Sequence, residues 1–306
     1  KSGGVDTALF AVDSSTGALT FSTAPDYDSG SACDAGNSCV VILTATSGSL
    51  TDTITVTVAI TDINDNSPTD MALSAASAAE NAAVGADIGT LSTTDGDASG
   101  NSHVYTLVTD SGGATAYSGT DFAIDSAVLE VGSSPSFDYE STTSYTVYVK
   151  VADGSNTAYV EEFTISITDI NDNTPIFSDG ATASASVAEG ATTVATYAAT
   201  DADGSSAHNT VTYSKSGGVD TALFAVDSST GALTFSTAPD YDSGSACDAG
   251  NSCVVILTAT SGSLTDTITV TVAITDINDN TPIFTDGDTA SASVAEGATT
   301  VATYAA

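Results

Sequence analysis

The amino-acid sequence predicts an all-β fold, a tandem of immunoglobulin-like β-sandwiches with about seven short strands each. Three observations carry this expectation. Apolar residues alternate with period two, as in strands with one buried face. Gly-centred turns such as SGGV, ADGS and SGS punctuate the runs. The chain also repeats itself at a fixed interval.

In the 306-residue chain, residues 1–66 and 215–280 are identical letter for letter, and 174–199 recurs as 281–306 with changes only at Ser178/Thr285 and Ala181/Asp288. The string DINDN stands at 62–66, 169–173 and 276–280, each copy 107 residues after the last. Cutting after each copy predicts a partial repeat 1–66, whole repeats 67–173 and 174–280, and the opening of another at 281–306. Because KSGGVDTALF opens in mid-repeat, the chain is expected to be a segment of a longer array, with signal, anchor and caps outside it.

Within a repeat the elements follow from local pattern. The Ala-rich segment 72–86 is the nearest thing to a helix, but its counterpart ASASVAEGATTVATYA is strand-like, so a strand is expected. TTSYTVYVKVAD places Val147, Val149 and Val151 on one face. DSSTGALTF at 227–235 reads as a hairpin whose Gly supplies positive φ. LTDTITVTVAITD places Ile268, Val270, Val272 and Ile274 on one face and Thr on the other.

Charge narrows the function. There are 39 acidic residues against three basic ones, Lys1, Lys150 and Lys215, for a formal net charge of -36. Nucleic acid is excluded as a partner for want of a basic footprint, and an anionic membrane surface is disfavoured. A content of 41% hydrophobic residues argues for folded domains. No run approaches the roughly 18–20 apolar residues of a membrane span, so no direct membrane insertion is expected. Cys33 with Cys39 and Cys247 with Cys253 bracket two copies of CDAGNSC. Each reads as a small disulfide rather than half a zinc site, which implies an extracellular or cell-surface location.

The set DINDNTPIF, VAEG, TDADG, DSSTGALTF, FDYE and VKVADG, in this order and spacing, resembles the cadherin repeat family along the whole chain. The resemblance implies Greek-key sandwiches in a linear rod, with two to three Ca2+ ions at each inter-domain junction. The residue chemistry agrees, since calcium takes about six to eight oxygen ligands and neither His nor thiolate stands in these motifs.

The family pattern assigns the ligands residue by residue. For the first junction it implies Asp26, Asp28, Asp62, Asn64, Asp65, Asn66, Asp95, Asp97, Asn101 and Asp153. For the second it implies Glu80, Asp138, Glu140, Asp169, Asn171, Asp172, Asn173, Asp201 and Asp203, with Asn209 nearby. For the third it implies Glu189, Asp240, Asp242, Asp276, Asn278, Asp279 and Asn280, while Glu296 would serve a fourth. Two departures are expected to loosen sites. The family's DRE motif reads DYE at 138–140 but DYD at 26–28 and 240–242, and Asp153 is expected to align with Thr46 and Thr260.

One DINDN alone would be an Asx-rich linker; three at equal spacing, each with an Asp pair about 30 residues on, point to metal. His103 and His208 are expected at equivalent places in polar loops, solvated rather than catalytic. Ser and Thr are expected to form outward strand faces, some of them open to O-linked sugar; NSC at Asn37 and Asn251 only approaches an N-glycosylation sequon. No enzyme is expected. The first reading is a calcium-rigidified fibre or stalk whose partners are neighbouring repeats and other copies of the chain in a filament. The second is a calcium-dependent adhesion module binding a cell surface or glycan, which the absence of Trp weakens.

Overall fold

The computed structural model describes residues 1–30, 32–98, 102–244 and 246–306. The chain divides into two compact units, Lys1–Ile170 and Asn171–Ala306.

The first unit opens with two antiparallel pairs, β1 (Phe10–Val12) with β2 (Leu19–Phe21) and β3 (Ser38–Ser47) with β4 (Leu50–Ala59). A complete sandwich follows: β5 (Asp70–Leu73), β6 (Ser77–Ala79), β7 (Asp87–Thr94), β8 (Val104–Val108), β9 (Phe122–Asp125), β10 (Val128–Val131), β11 (Ser144–Ala152) and β12 (Tyr159–Thr168). Its sheets run β5-β7-β10-β9 and β6-β12-β11-β8. The sequence-predicted first strand is thus divided, β5 in one sheet and β6 in the other, and the seven-stranded count holds with β5 and β6 as one strand. β6 runs parallel to β12 and the other neighbours are antiparallel.

The period-two pattern explains the core. Val147, Val149 and Val151 of β11 and Ile165 and Ile167 of β12 turn inward against Ile88, Leu91, Leu129 and Val131. Each such aliphatic contributes about 1.5–3 kcal/mol on full burial.

The second unit contains β13 (Ile176–Phe177), β14 (Thr182–Ala188), β15 (Thr193–Thr196), β16 (Ala199–Thr200), β17 (Thr212–Gly217), β18 (Phe224–Val226), β19 (Ala232–Phe235), β20 (Ser252–Ser261) and β21 (Leu264–Thr275). Its sheets run β14-β21-β20-β17 and β15-β19-β18, with β13 paired to β16. Ile268, Val270, Val272 and Ile274 all face the core, as the alternation predicts. Among the described residues, 281–306 carry no strand.

Both cysteine pairs are disulfides, Cys33–Cys39 and Cys247–Cys253. A ring this short stabilises by about 2 kcal/mol on the chain-entropy scale. A buried carboxylate fixes each loop: Asp220 accepts the N–H groups of Asp248 at 2.8 Å and Val254 at 2.7 Å, and Asp6 does the same for Asp34 and Val40. The near-sequon residues Asn37 and Asn251 donate their side-chain amides to the carbonyls of Tyr27 and Tyr241, so these amides are engaged in packing.

Candidate metal centre

Acidic side chains collect where loops from separate strands converge. Around the DINDN copy at 62–66, the carboxylates of Asp28, Asp65 and Asp97 each bring an oxygen within 4.8 Å of the other two. So do those of Asp95, Asp97 and Asp153. Asp97, in the turn after β7, belongs to both groups and is buried. Asp28 reaches the cluster despite being one methylene shorter than the Glu of the family motif.

A frame of amide donors holds these carboxylates. Asp97 accepts the backbone N–H groups of Asp65 at 3.3 Å and Asn66 at 3.2 Å, and the Asn66 side-chain amide at 2.9 Å. The same Asn66 amide reaches Asp28 at 2.8 Å. Asp153 accepts the backbone N–H groups of Ser155 and Asn156 at 2.9 and 2.8 Å.

The electrostatics follow from these contacts. Burial, and then the charges of Asp62, Asp97, Asp65 and Asp26, push the Asp28 carboxyl above its ordinary range. Burial opposes ionisation of Asp97 too, but the Asn66 and Asp65 donors outweigh it and hold that carboxyl low. Asp153 is held low by the backbone and side-chain N–H groups of Asn156 and the backbone N–H of Ser155.

Lysine does not relieve this charge. Lys1 donates to the carbonyls of Thr7 and Phe10, Lys215 to those of Thr221 and Phe224, and Lys150 to that of Gly113.

Two residues at this site were not foreseen from the sequence. Asn156 donates its side-chain amide to the Asn64 side chain, to the Asn66 carbonyl at 2.7 Å and to Asp153 at 2.9 Å. His103, expected in solvent, is half-buried with Nε2 3.1 Å from Asp95 Oδ2. Nor are the histidines equivalent. Tyr105 pairs with Val151 of β11 and Tyr213 with Ala259 of β20, and His103 precedes its tyrosine by two residues, His208 by five. Asn101 lies outside the described residues. Asp26 accepts the amides of Asp28 and Ser29 at 3.0 Å in an Asx turn.

Elsewhere in the first unit, Glu80, Asp138 and Glu140 form a third carboxylate group within 4.8 Å. Glu80 is buried, with Oε2 accepting the Tyr139 N–H and Oε1 the Ile170 N–H, both at 2.7 Å. It ties the FDYE segment to the connector that contains half-buried Asp169.

In the second unit Asp203 accepts the Asn173 backbone N–H at 3.1 Å and side-chain amide at 3.0 Å. Asn173 also reaches Asp172 at 3.1 Å, and Asp201 accepts the Asp203 N–H at 3.0 Å. Asn171 Oδ1, Asp201 Oδ2 and Asp203 Oδ2 are buried with no hydrogen-bond partner. Buried oxygens without donors are costly, and such a set suits a hard, oxygen-seeking cation. Asn209 is exposed, its backbone N–H bonded to Ser205.

At the end of this unit Glu189 repeats the role of Glu80, accepting the N–H groups of Tyr241 at 2.7 Å and Ile277 at 2.8 Å. Asn280 donates to Asp242, and Asp240 accepts the Ser243 N–H at 3.1 Å. Burial and then the charges of Asp242 and Glu189 raise the Asp276 carboxyl. Asn278 and Asp279 are exposed, as is Glu296.

The expected alignment of Asp153 with Thr46 and Thr260 is corrected by the strand register. Inward positions run Val147, Val149, Val151, Asp153 in one repeat and Val255, Leu257, Ala259, Ser261 in the other. Asn64 donates to the Asp153 carbonyl and Asn171 to the Ser261 carbonyl, both at 3.2 Å. Ser261, and by identity Ser47, therefore holds the Asp153 position. The turn bearing Asp153 and Asn156 is there a two-residue hairpin, since Ser261 pairs directly with Leu264. Gly262 is required in it: φ is 55° and a Cβ would lie 2.2 Å from Asn171 Nδ2.

Comparison with known proteins agrees with the sandwich topology. The family described as Cadherin domain matches residues 74–168 and 183–275. Human protocadherin Fat 1 is 30% identical over 251 residues, 78% of this chain, which spans 5% of that protein's length. The human desmocollin-1 ectodomain superposes with a TM-score of 0.65 at 19% identity, covering 90% of this chain and 55% of that one. A protocadherin gammaB7 EC3-6 structure, described as a cis-dimer, has a TM-score of 0.59 at 21% identity over 92% of this chain and 65% of that one. The relatives are cadherins, adhesion proteins rather than enzymes. The chain is a run of extracellular or cell-surface repeats and belongs to the cadherin family.

Proposed function

We infer that the chain is a structural run of a long extracellular fibre or stalk, made of repeats 1–66, 67–173, 174–280 and the start of another at 281–306, whose connectors are stiffened by calcium. The observation that carries this reading is Asp97, buried and common to two carboxylate groups with no lysine among the described residues to offset them. Calcium, when bound, supplies positive charge and accepts about six to eight oxygens.

In the first unit Asp28, Asp62, Asn64, Asp65, Asn66, Asp95, Asp97 and Asp153 would hold it, with Asp26 and Asn101 beside them. Glu80, Asp138, Glu140 and Asp169 in the first unit, and Asn171, Asp172, Asn173, Asp201 and Asp203 in the second, offer the same donor chemistry, as do Glu189, Asp240, Asp242, Asp276, Asn278, Asp279 and Asn280. Repeats that carry Ser261 in place of Asp153 have one carboxylate fewer, which favours two ions over three there. Asn66 and Asn156 orient the carboxylates, and Glu80 and Glu189 fasten each connector to its sandwich.

Self-association of chains, as the description of one protocadherin neighbour suggests, is compatible with a fibre. It is also the observation that favours adhesion as a second reading.

Limited proteolysis tests the calcium joint. In chelator, an Asp-directed protease is expected to cut within 62–66 and 169–173 while each sandwich survives; in calcium both connectors should be protected. Equal cleavage in the two conditions would count against the reading.

A further inference from the structure

The CDAGNSC loop is an insertion at one point of the sandwich. In each repeat the Ile two residues before DINDN donates its N–H to a carbonyl of the segment that follows the acidic motif: Ile60 to Asn37 at 2.9 Å, Ile167 to Thr143 at 2.9 Å and Ile274 to Asn251 at 2.8 Å. Asn37, Thr143 and Asn251 therefore hold one structural position. Thr143 follows Glu140 of DYE by three residues, whereas Asn37 and Asn251 follow Asp28 and Asp242 of DYD by nine. The loop and the shorter carboxylate occur together in 1–66 and 174–280, and neither occurs in 67–173.

The loop reaches back to the motif that it follows. Asn251 lies in the ring closed by Cys247 and Cys253, where Cys247 and Gly250 exchange backbone hydrogen bonds of 2.8 and 3.0 Å. Cys253 is anchored by pairing with Val272 of β21. From this fixed base the Asn251 side-chain amide donates to the carbonyl of Tyr241, the residue between Asp240 and Asp242, at 3.1 Å. Asn37 makes the same bond to Tyr27, between Asp26 and Asp28, at 3.0 Å. Because the bond is present in the complete sandwich 174–280 as well as in 1–66, it does not depend on what lies beside either copy.

The carboxylate next to this tie belongs to the metal cluster. Asp28 brings an oxygen within 4.8 Å of oxygens of Asp65 and Asp97, as Glu140 does of Glu80 and Asp138. Glu140 does so with one methylene more and without a loop.

We propose that the disulfide-closed loop is a positioning device for the metal cluster: through Asn37 and Asn251 it holds the DYD backbone where a short Asp reaches the site, so that calcium affinity at the connectors after loop-bearing repeats depends on the disulfide. This rests on the calcium reading of the connectors. Opening the ring releases the Asn from the Tyr carbonyl, and the cluster loses an outer support of the kind worth about 10- to 100-fold in metal affinity. The reductant is a dithiol. It passes two electrons and two protons to the Cys33–Cys39 bond, which becomes two thiols, and itself closes to a disulfide.

Limited proteolysis of the 306-residue chain over a range of free calcium tests this, read as the concentration that half-protects each connector. Asn37→Ala, and separately reduction by a dithiol, are expected to raise the midpoint at 62–66 about 10-fold. The midpoint at 169–173, which follows the loop-free repeat, should stay where it was. Asp28→Glu discriminates between positioning and mere loosening: with the longer side chain in place, Asn37→Ala should no longer move the 62–66 midpoint, a non-additivity that a loosened sandwich would not give. An unmoved 62–66 midpoint, equal shifts at both connectors, or an Asn37→Ala effect that persists beside Asp28→Glu overturns the proposal. If calcium protects neither connector in the unaltered chain, the calcium reading itself falls, and the proposal with it.

Discussion

Asp97→Asn is expected to weaken calcium binding at the 62–66 connector by about 10- to 100-fold, the range that loss of even an outer partner of a metal ligand produces. Asp97 is common to two carboxylate groups, with Asp28 and Asp65 on one side and Asp95 and Asp153 on the other. Losing its charge therefore removes attraction from both at once. The fold should not suffer, because Asn keeps an oxygen to accept the Asp65 and Asn66 N–H groups. Asp26→Asn is the matched control, since Asp26 serves an Asx turn with Asp28 and Ser29 and should change affinity far less. Calorimetric calcium titration of the whole chain reads both. Equal effects would mean that the shared position of Asp97 has no special weight.

Glu80→Ala should destabilise its repeat by about 2–5 kcal/mol, the cost of leaving two N–H donors unsatisfied. The carboxylate is buried and takes the Tyr139 and Ile170 N–H groups one on each oxygen. Denaturant unfolding in chelator isolates this role from any part in metal binding. Glu80→Gln, which keeps the shape and one acceptor, should fall between the wild type and Ala. A loss below about 1 kcal/mol for Glu80→Ala would show that water satisfies the freed amides as well as Glu80 does.

Most of the fold was legible because period-two alternation is a local signal: Val147, Val149 and Val151 and the run from Ile268 to Ile274 all face inward as read. The DINDN copies stand out because they recur at one spacing. What escaped the letters depended on partners distant in sequence. Ser261 rather than Thr260 takes the Asp153 position because the alternation runs one residue further before the hairpin. Asn156 sits in a turn without periodicity, and its place among Asn64, Asn66 and Asp153 is set by loop packing. The contact of His103 with Asp95 has no periodic pattern in the letters to announce it. The double amide cap on Glu80 likewise joins residues 59 and 90 positions away.

The central claim is that carboxylates at the connectors demand a cation to become stiff joints. Small-angle scattering of the chain at low concentration, in calcium and in chelator, tests this most directly. With calcium the chain is expected to scatter as an extended, stiff particle, and with chelator as one whose sandwiches are still folded but whose maximum dimension and persistence fall. Superimposable profiles in the two conditions would contradict the account.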